Sequence, residues 1–370
     1  MTLHRVRLAA TAALLVSAPA GAQSGAPSGT QPVVLTLGGA ARWAAEKNAG
    51  PAAARERVAQ ADARVRQQRA SFMPTLTASA LDHENNLNSA TFPFSFNDPT
   101  TGVALFDPNG EVLGPVKNWD MRGNLRQDVV DLSAFAKLRA AHAGVTASEA
   151  QAAAAAQQAA GAAAVAYVRA VRADAQITAR LADSTLAAEL LGIARDQLAA
   201  GVGVVLDVTR AQAQLSLTHS QLIAARAERD RARIDLTRTL NLPVGTAIVL
   251  ADSLGALPSE TGAPAEDAAV AQAERSRADL RAAAEQAAAA ERQLDAVRAE
   301  RYPALSLFAD QGVNGKNVDH LLNTYNWGIA LSVPVFDGFR REGRIDEQRA
   351  ALRELDVRRR DLSEQAAADV

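Results

Sequence analysis

No proline interrupts the chain between Leu132 and Ala200, and alanine recurs throughout that interval. Alanine is the strongest helix former, so a run such as Gln151 to Gln157 has little alternative to a helix. At about 1.5 Å per residue the interval makes a rod roughly 100 Å long, several times an ordinary globular helix. A rod of that length must pack along other rods. Ile177, Ser184, Leu191 and Leu198 are spaced seven apart, as are Val208, Leu215 and Leu222; Arg229 interrupts and Leu236 resumes. A seven-residue period gives a left-handed coiled-coil seam. Between the two series lies Ala200-Gly201-Val202-Gly203. Gly201 suits the left-handed residue that ends a helix, and Gly203 a tight reversal. The interval from Asp131 to Leu240 is thus expected to be a long antiparallel helical hairpin.

The remainder of the chain changes rhythm. Helices are expected over 36–48 and from Pro51 to Arg69, followed by alternation from Phe72 to Leu81. A polar, glycine- and proline-bearing loop is expected from Asp82 to Asn118. In the next strand Trp119, Met121 and Leu125 point one way, and Asp120, Arg122, Asn124 and Arg126 point the other. Four charged or amide side chains on one face cannot form a protein core. Such a strand suits a sheet with lipid on one side and water on the other, or a soluble sheet with one wet face.

The pattern then repeats. After a break from Pro243 to Pro264, a helix is expected from Glu266 to Arg301. Tyr302-Pro303-Ala304-Leu305-Ser306 echoes Met73-Pro74-Thr75-Leu76-Thr77. Tyr325, Trp327, Ile329, Leu331 and Val333 form an apolar row like that of Trp119, with Asn326, Gly328, Ala330 and Ser332 on the small, polar side. Pro334-Val335-Phe336-Asp337-Gly338 echoes Asp128-Val129-Val130-Asp131-Leu132, and another long helix begins. The expected organisation is a signal peptide over 1–22, a first repeat over 23–242, a linker over 243–265 and a second repeat over 266–370. His4, Arg5 and Arg7 precede a short apolar run, and Ala20-Gly21-Ala22 fits a cleavage site.

Composition narrows the chemistry. With no cysteine, the chain has neither disulfides nor thiolate metal sites. A net charge of −2 argues against a nucleic-acid partner. The five histidines, His4, His83, His142, His219 and His320, share no metal-binding spacing, and no nucleophile or phosphate-loop motif appears. No enzyme activity and no cofactor are expected. Four strands cannot close a barrel, and open edges cannot sit in lipid, so the strands must be pooled between identical copies.

The chain resembles the TolC family of outer-membrane efflux channels. The motifs are Arg69-Ala70-Ser71-Phe72-Met73-Pro74-Thr75-Leu76, Gln127 to Ser133, Ala200-Gly201-Val202 with Leu206 to Gln212, and Pro334 to Gly338, in order along nearly the whole mature chain. The resemblance implies a mainly helical fold with membrane β structure. In it, long helical hairpins form an α-barrel, and four strands per subunit join a trimeric twelve-stranded barrel in the outer membrane. It implies a passive exit duct that extends into the periplasm and meets a periplasmic adaptor and an inner-membrane transporter. Adaptor contact would fall on Leu198, Gly201, Val202, Val205, Leu206 and Asp207. Asp120, Arg122, Asn124 and Arg126 would face the lumen; Trp119, Met121, Leu125, Tyr325, Trp327, Ile329 and Leu331 would face outer-membrane lipid. Since the second repeat stops at Val370, short of a second tip, the resemblance also implies an incomplete hairpin and no assignable gate residue. The alternative is a secreted or periplasmic coiled-coil scaffold, or an adaptor, without channel activity.

Overall fold

The computed structural model describes residues 32–91, 97–102, 104, 107, 109–256 and 265–370. The proposed signal peptide lies outside the described residues. Strand β1 (Val33–Leu35) leads into helices α1 (Leu37–Lys47) and α2 (Ala49–Ala70). Strands β2 (Thr75–Asn88) and β3 (Val112–Asp131) follow, then α3 (Leu132–Ala199), α4 (Val205–Thr239) and the short strand β4 (Ile248–Leu250). The second half holds α5 (Glu266–Ser276), α6 (Ala278–Ala299), β5 (Ala304–Gly315), β6 (Leu322–Ser332) and α7 (Arg340–Ala368).

The duplication is visible in element lengths. Helices α1 and α2 have 11 and 22 residues, and so do α5 and α6. Each pair is broken by one extended residue, Asn48 in the first half and Arg277 in the second. Asn48 caps α2 by accepting from the Gly50 N–H, and its side-chain amide donates to the Thr239 carbonyl. The break at Arg277 corrects the single helix expected from Glu266 to Arg301. There the freed Ala278 N–H donates to Gln157 Oε1 on α3. The Arg277 guanidinium donates to Asp279 and Asp369, and its hydrogen bonds hold the Asp279 carboxyl below the usual carboxylate range.

The α3–α4 hairpin follows its seven-residue seam. Leu191, Leu222 and Leu236 are buried, and a second row of Thr218, Ala225 and Ala232 packs beside them. Both helices end alike. At Gly201, with φ of 74°, the Val202 N–H bonds back to the Gln197 carbonyl and the Gly201 N–H to Leu198. At Asn241, with φ of 55°, Leu242 bonds to Thr237 and Asn241 to Arg238. This pair of bonds satisfies the last free carbonyls of a helix.

The largest core cluster sits midway along α3, where Ala163, Ala166, Ala170 and Ala173 admit close approach of α1 and α4. At its centre the fully buried Tyr167 hydroxyl donates to the Leu35 carbonyl and accepts from the Asp252 N–H. It thereby clasps β1 and the segment after β4, the strand with which β1 pairs in parallel. Strand β4 lies inside the interval expected to be a break.

The remaining strands form one antiparallel sheet in the order β2-β3-β5-β6. Helices pack in the matching order: α3 lies against both α2 and α6, and α7 lies against α6. Strands β2 and β3 are longer than expected, so the supposed loop from Asp82 to Asn118 is paired strand at both ends. His83 opposes Asn118 and Glu84 opposes Lys117.

Candidate functional site

Directly opposed residues in an antiparallel ladder share a face, so the register sorts the sheet into two surfaces. One surface carries Ser79, Arg122, Gly312 and Thr324 in one row, and Thr77, Asn124, Asp310 and Asn326 in the next. Thr75, Arg126, Phe308 and Gly328 follow. The other carries Leu76, Leu125, Ala309 and Trp327, then Ala80, Met121, Val313 and Asn323. All four residues expected on the polar side, Asp120, Arg122, Asn124 and Arg126, lie together. Trp119, Met121, Leu125, Tyr325, Trp327, Ile329 and Leu331 lie together on the opposite side.

Exposure runs against the habit of a soluble sheet. The charged face is the partly covered one: Asp120, Arg122 and Asn124 are half-buried. The apolar face is open, with Trp327 72% and Leu331 67% exposed. On the charged face the Arg122 guanidinium binds Asp120 and Asp310 at 2.7 Å each. It lies across Gly312, where even a Cβ would stand 2.2 Å from the Met121 carbonyl and 2.4 Å from the Arg122 Cβ. Gly312 is therefore required for β3 and β5 to close around the arginine. Asp310 was not among the expected residues. Its signal was present in the alternation of Ser306, Phe308 and Asp310, but Phe308 on the polar face obscured it. Phe308 is accommodated because Gly328 lies beneath its ring.

Trp119 does not stand at the end of its strand, as the sequence suggested, since β3 extends back to Val112. It opposes Asp82 and Gly315, the level at which β5 ends. Lys117 Nζ sits 5.3 Å over the indole ring and 3.7 Å from Asp82. Charged groups on the otherwise apolar face begin at this level.

The hairpin tip lies at the end of the α3–α4 rod remote from the sheet in sequence. Val202 is 81% exposed, and Val204, Val205 and Leu206 are exposed beside it. Leu198 is half-buried under the turn, and Gly201 and Asp207 are exposed. A Cβ at Gly203 would stand 2.9 Å from the Leu198 nitrogen, so the reversal requires glycine there. Asp207 lies in the first turn of α4, where the helix dipole favours an acid, and sits 3.8 Å from Arg210. Among the described residues no group of metal-ligating side chains gathers, and no helix is long and apolar enough to cross a membrane.

The model of the outer membrane efflux protein family matches residues 44–242 and 269–370. The chain belongs to that family. It is an outer-membrane efflux channel protein, passive rather than enzymatic. Its fold is similar to that of the CmeC outer membrane channel of Campylobacter jejuni, with a TM-score of 0.70 and 18% identity over 88% of this chain and 67% of that one. VceC of Vibrio cholerae gives 0.68 and 20%, over 89% and 75% of the two chains. The open MtrE outer membrane channel of Neisseria gonorrhoeae gives 0.62 and 18%, over 90% and 70%. No curated relative matches in sequence.

Proposed function

We propose that three copies of the chain pool their strands into a twelve-stranded outer-membrane barrel and their helices into a periplasmic tube. Together these form the exit duct of a tripartite export system. The observation that carries this reading is the inverted sheet: apolar side chains open to the outside, charged side chains gathered on the inside, and both edges unpaired. Lipid accepts the first, a water-filled lumen needs the second, and closure between copies removes the third. The face of Asp120, Arg122, Asn124 and Arg126 then lines the lumen. The row of Trp119, Met121, Leu125, Tyr325, Trp327, Ile329 and Leu331 meets lipid. Leu198, Gly201, Val202, Val205, Leu206 and Asp207 form the surface for a periplasmic adaptor, which links the duct to an inner-membrane transporter. The exposed valines and leucine at the tip suit an apolar partner helix.

The chain has no native thiol, so single cysteines report cleanly. A membrane-impermeant thiol reagent is expected to label cysteines at 120, 122 and 124 and to leave those at 121 and 125 unlabelled in intact outer membrane. The reverse pattern overturns the face assignment. For the tip, Val205→Asp with Leu206→Asp is expected to abolish efflux-dependent drug resistance while the amount of protein in the outer membrane is unchanged. Retained resistance removes the adaptor role from these residues.

A further inference from the structure

We propose that the groove between α3 and α6, directly below the sheet on its apolar side, binds the phosphate of an anionic glycerophospholipid from the leaflet nearest the helices. This rests on the lipid-facing assignment of the apolar face proposed above and gives that face a headgroup site.

The groove has a volume of about 380 Å³ and a floor of small alanines. Four arginines line it: Arg139 from α3, and Arg292, Arg298 and Arg301 from the end of α6. Asp295 is the one acid among the described residues of its wall. It stands 3.6 Å from Arg292 and 3.5 Å from Arg298, so one carboxylate is divided between two guanidiniums. Arg139 and Arg301 form no ion pair among the described residues; the Arg301 Nε donates to the Arg298 carbonyl at 3.0 Å. Four cations against one anion leave a positive surplus here, in a chain whose net charge is −2. Arg298 and Arg301 sit at the C-terminal end of α6, where the helix dipole favours cations. That does not account for Arg139 in the third turn of α3, nor for Arg292 two turns before the end of α6.

Three relations fix the side on which the groove opens. Gln127 projects from the same face as Leu125, two residues before it, and its amide donates to the Phe72 carbonyl. The Phe72 ring packs on Phe135 at 4.6 Å between centroids. Arg139 follows Phe135 by four residues, one helical turn, and so lies below it on the same side of α3. Lys137 lies on the opposite side, where it lines a second groove with Arg64. There it pairs with Glu300, which also binds Arg344. The unpaired basic charge therefore gathers beneath the apolar face. Tyr302, 51% exposed, stands between α6 and β5 and offers an amphipathic ring at headgroup level. A phosphodiester suits this groove: its free oxygens accept guanidinium forks, and its acyl chains rise along Phe135 and the apolar rows of the sheet. An anionic headgroup neutralises the surplus, whereas a zwitterionic one brings a cation of its own.

The full chain in detergent is titrated with phosphatidylglycerol or phosphatidylcholine, and bound lipid is followed by native mass spectrometry. Phosphatidylglycerol is expected to bind at least about tenfold more tightly. Arg139→Gln/Arg301→Gln is expected to remove that preference. Arg64→Gln/Lys137→Gln, which deletes the same charge from the opposite side, is expected to keep it. Equal affinity for the two lipids in the unmodified protein, or equal loss of preference in both variants, overturns the site. Full displacement of phosphatidylglycerol by millimolar inorganic phosphate overturns the lipid as occupant. Reconstitution into vesicles with brominated acyl chains separates this proposal from the face assignment. Quenching of Trp119 and Trp327 without a phosphatidylglycerol preference removes the headgroup site and leaves lipid on the apolar face. Absence of quenching overturns both.

Discussion

Arg122 shows how one residue on the proposed lumen face can also be a structural tie. Its guanidinium bridges Asp120 on its own strand and Asp310 on the next, over a glycine that leaves it room. Hydrogen bonds between ionised groups are stronger than neutral ones, and here two share one donor group. Replacing Arg122 with alanine leaves two carboxylates on the same wall without their cation. We expect a higher ratio of cation to anion permeability in planar bilayers. We also expect the proposed assembly to dissociate at a lower temperature in detergent. Unchanged values in both would remove Arg122 from the lumen wall. Sequence alternation was enough to put Arg122 and its neighbours on one face. It could not reveal Asp310, because pairing between β3 and β5 joins residues far apart in the chain. The glycine opposite Arg122 has meaning only in that register.

At the scale of elements, local rules were legible and long-range ones were not. Helix α3 begins and ends within a residue of the proline-free interval, because alanine content and the Gly201 turn are local signals. The break at Arg277 depends on Gln157 of α3 receiving the Ala278 N–H, which no local pattern encodes. Strand β2 continues beyond Leu81 through His83, Glu84 and Asn85. With no apolar face to bury at that height, alternation fades while the ladder persists. The β1–β4 clasp was equally hidden, since two three-residue strands acquire meaning only around Tyr167. Tyr167→Phe removes one buried donor and orphans the Asp252 N–H. It is expected to cost about 1–3 kcal/mol. Burial raises the Tyr167 hydroxyl above its ordinary 10.0. A group whose folded value is raised contributes stability that is complete below the unfolded value and is lost as pH rises. Thermal unfolding of the native protein should therefore show stability falling above pH about 10, and the phenylalanine variant should lose that component of the fall. Identical pH dependence would exclude Tyr167 as its source.

At the scale of the whole molecule the sheet is the joint on which everything depends. Gly312→Val would drive a side chain into the Met121 carbonyl and the Arg122 Cβ. It is expected to part β3 from β5, and with them α3 from α6. The proposed three-chain assembly should vanish from detergent extracts, and the variant should be degraded. Recovery of wild-type amounts of assembled protein would refute the close packing at Gly312.

The two bare edges also dictate how such a protein reaches its destination. A single copy presents unpaired amide and carbonyl groups along β2 and β6, and oil has no hydrogen bonds to give them. A lone subunit is therefore barred from the bilayer as a stepping stone, and companionship must come before or with insertion. Delivery becomes a collective event, whose rate should climb steeply with the concentration of newly exported chains.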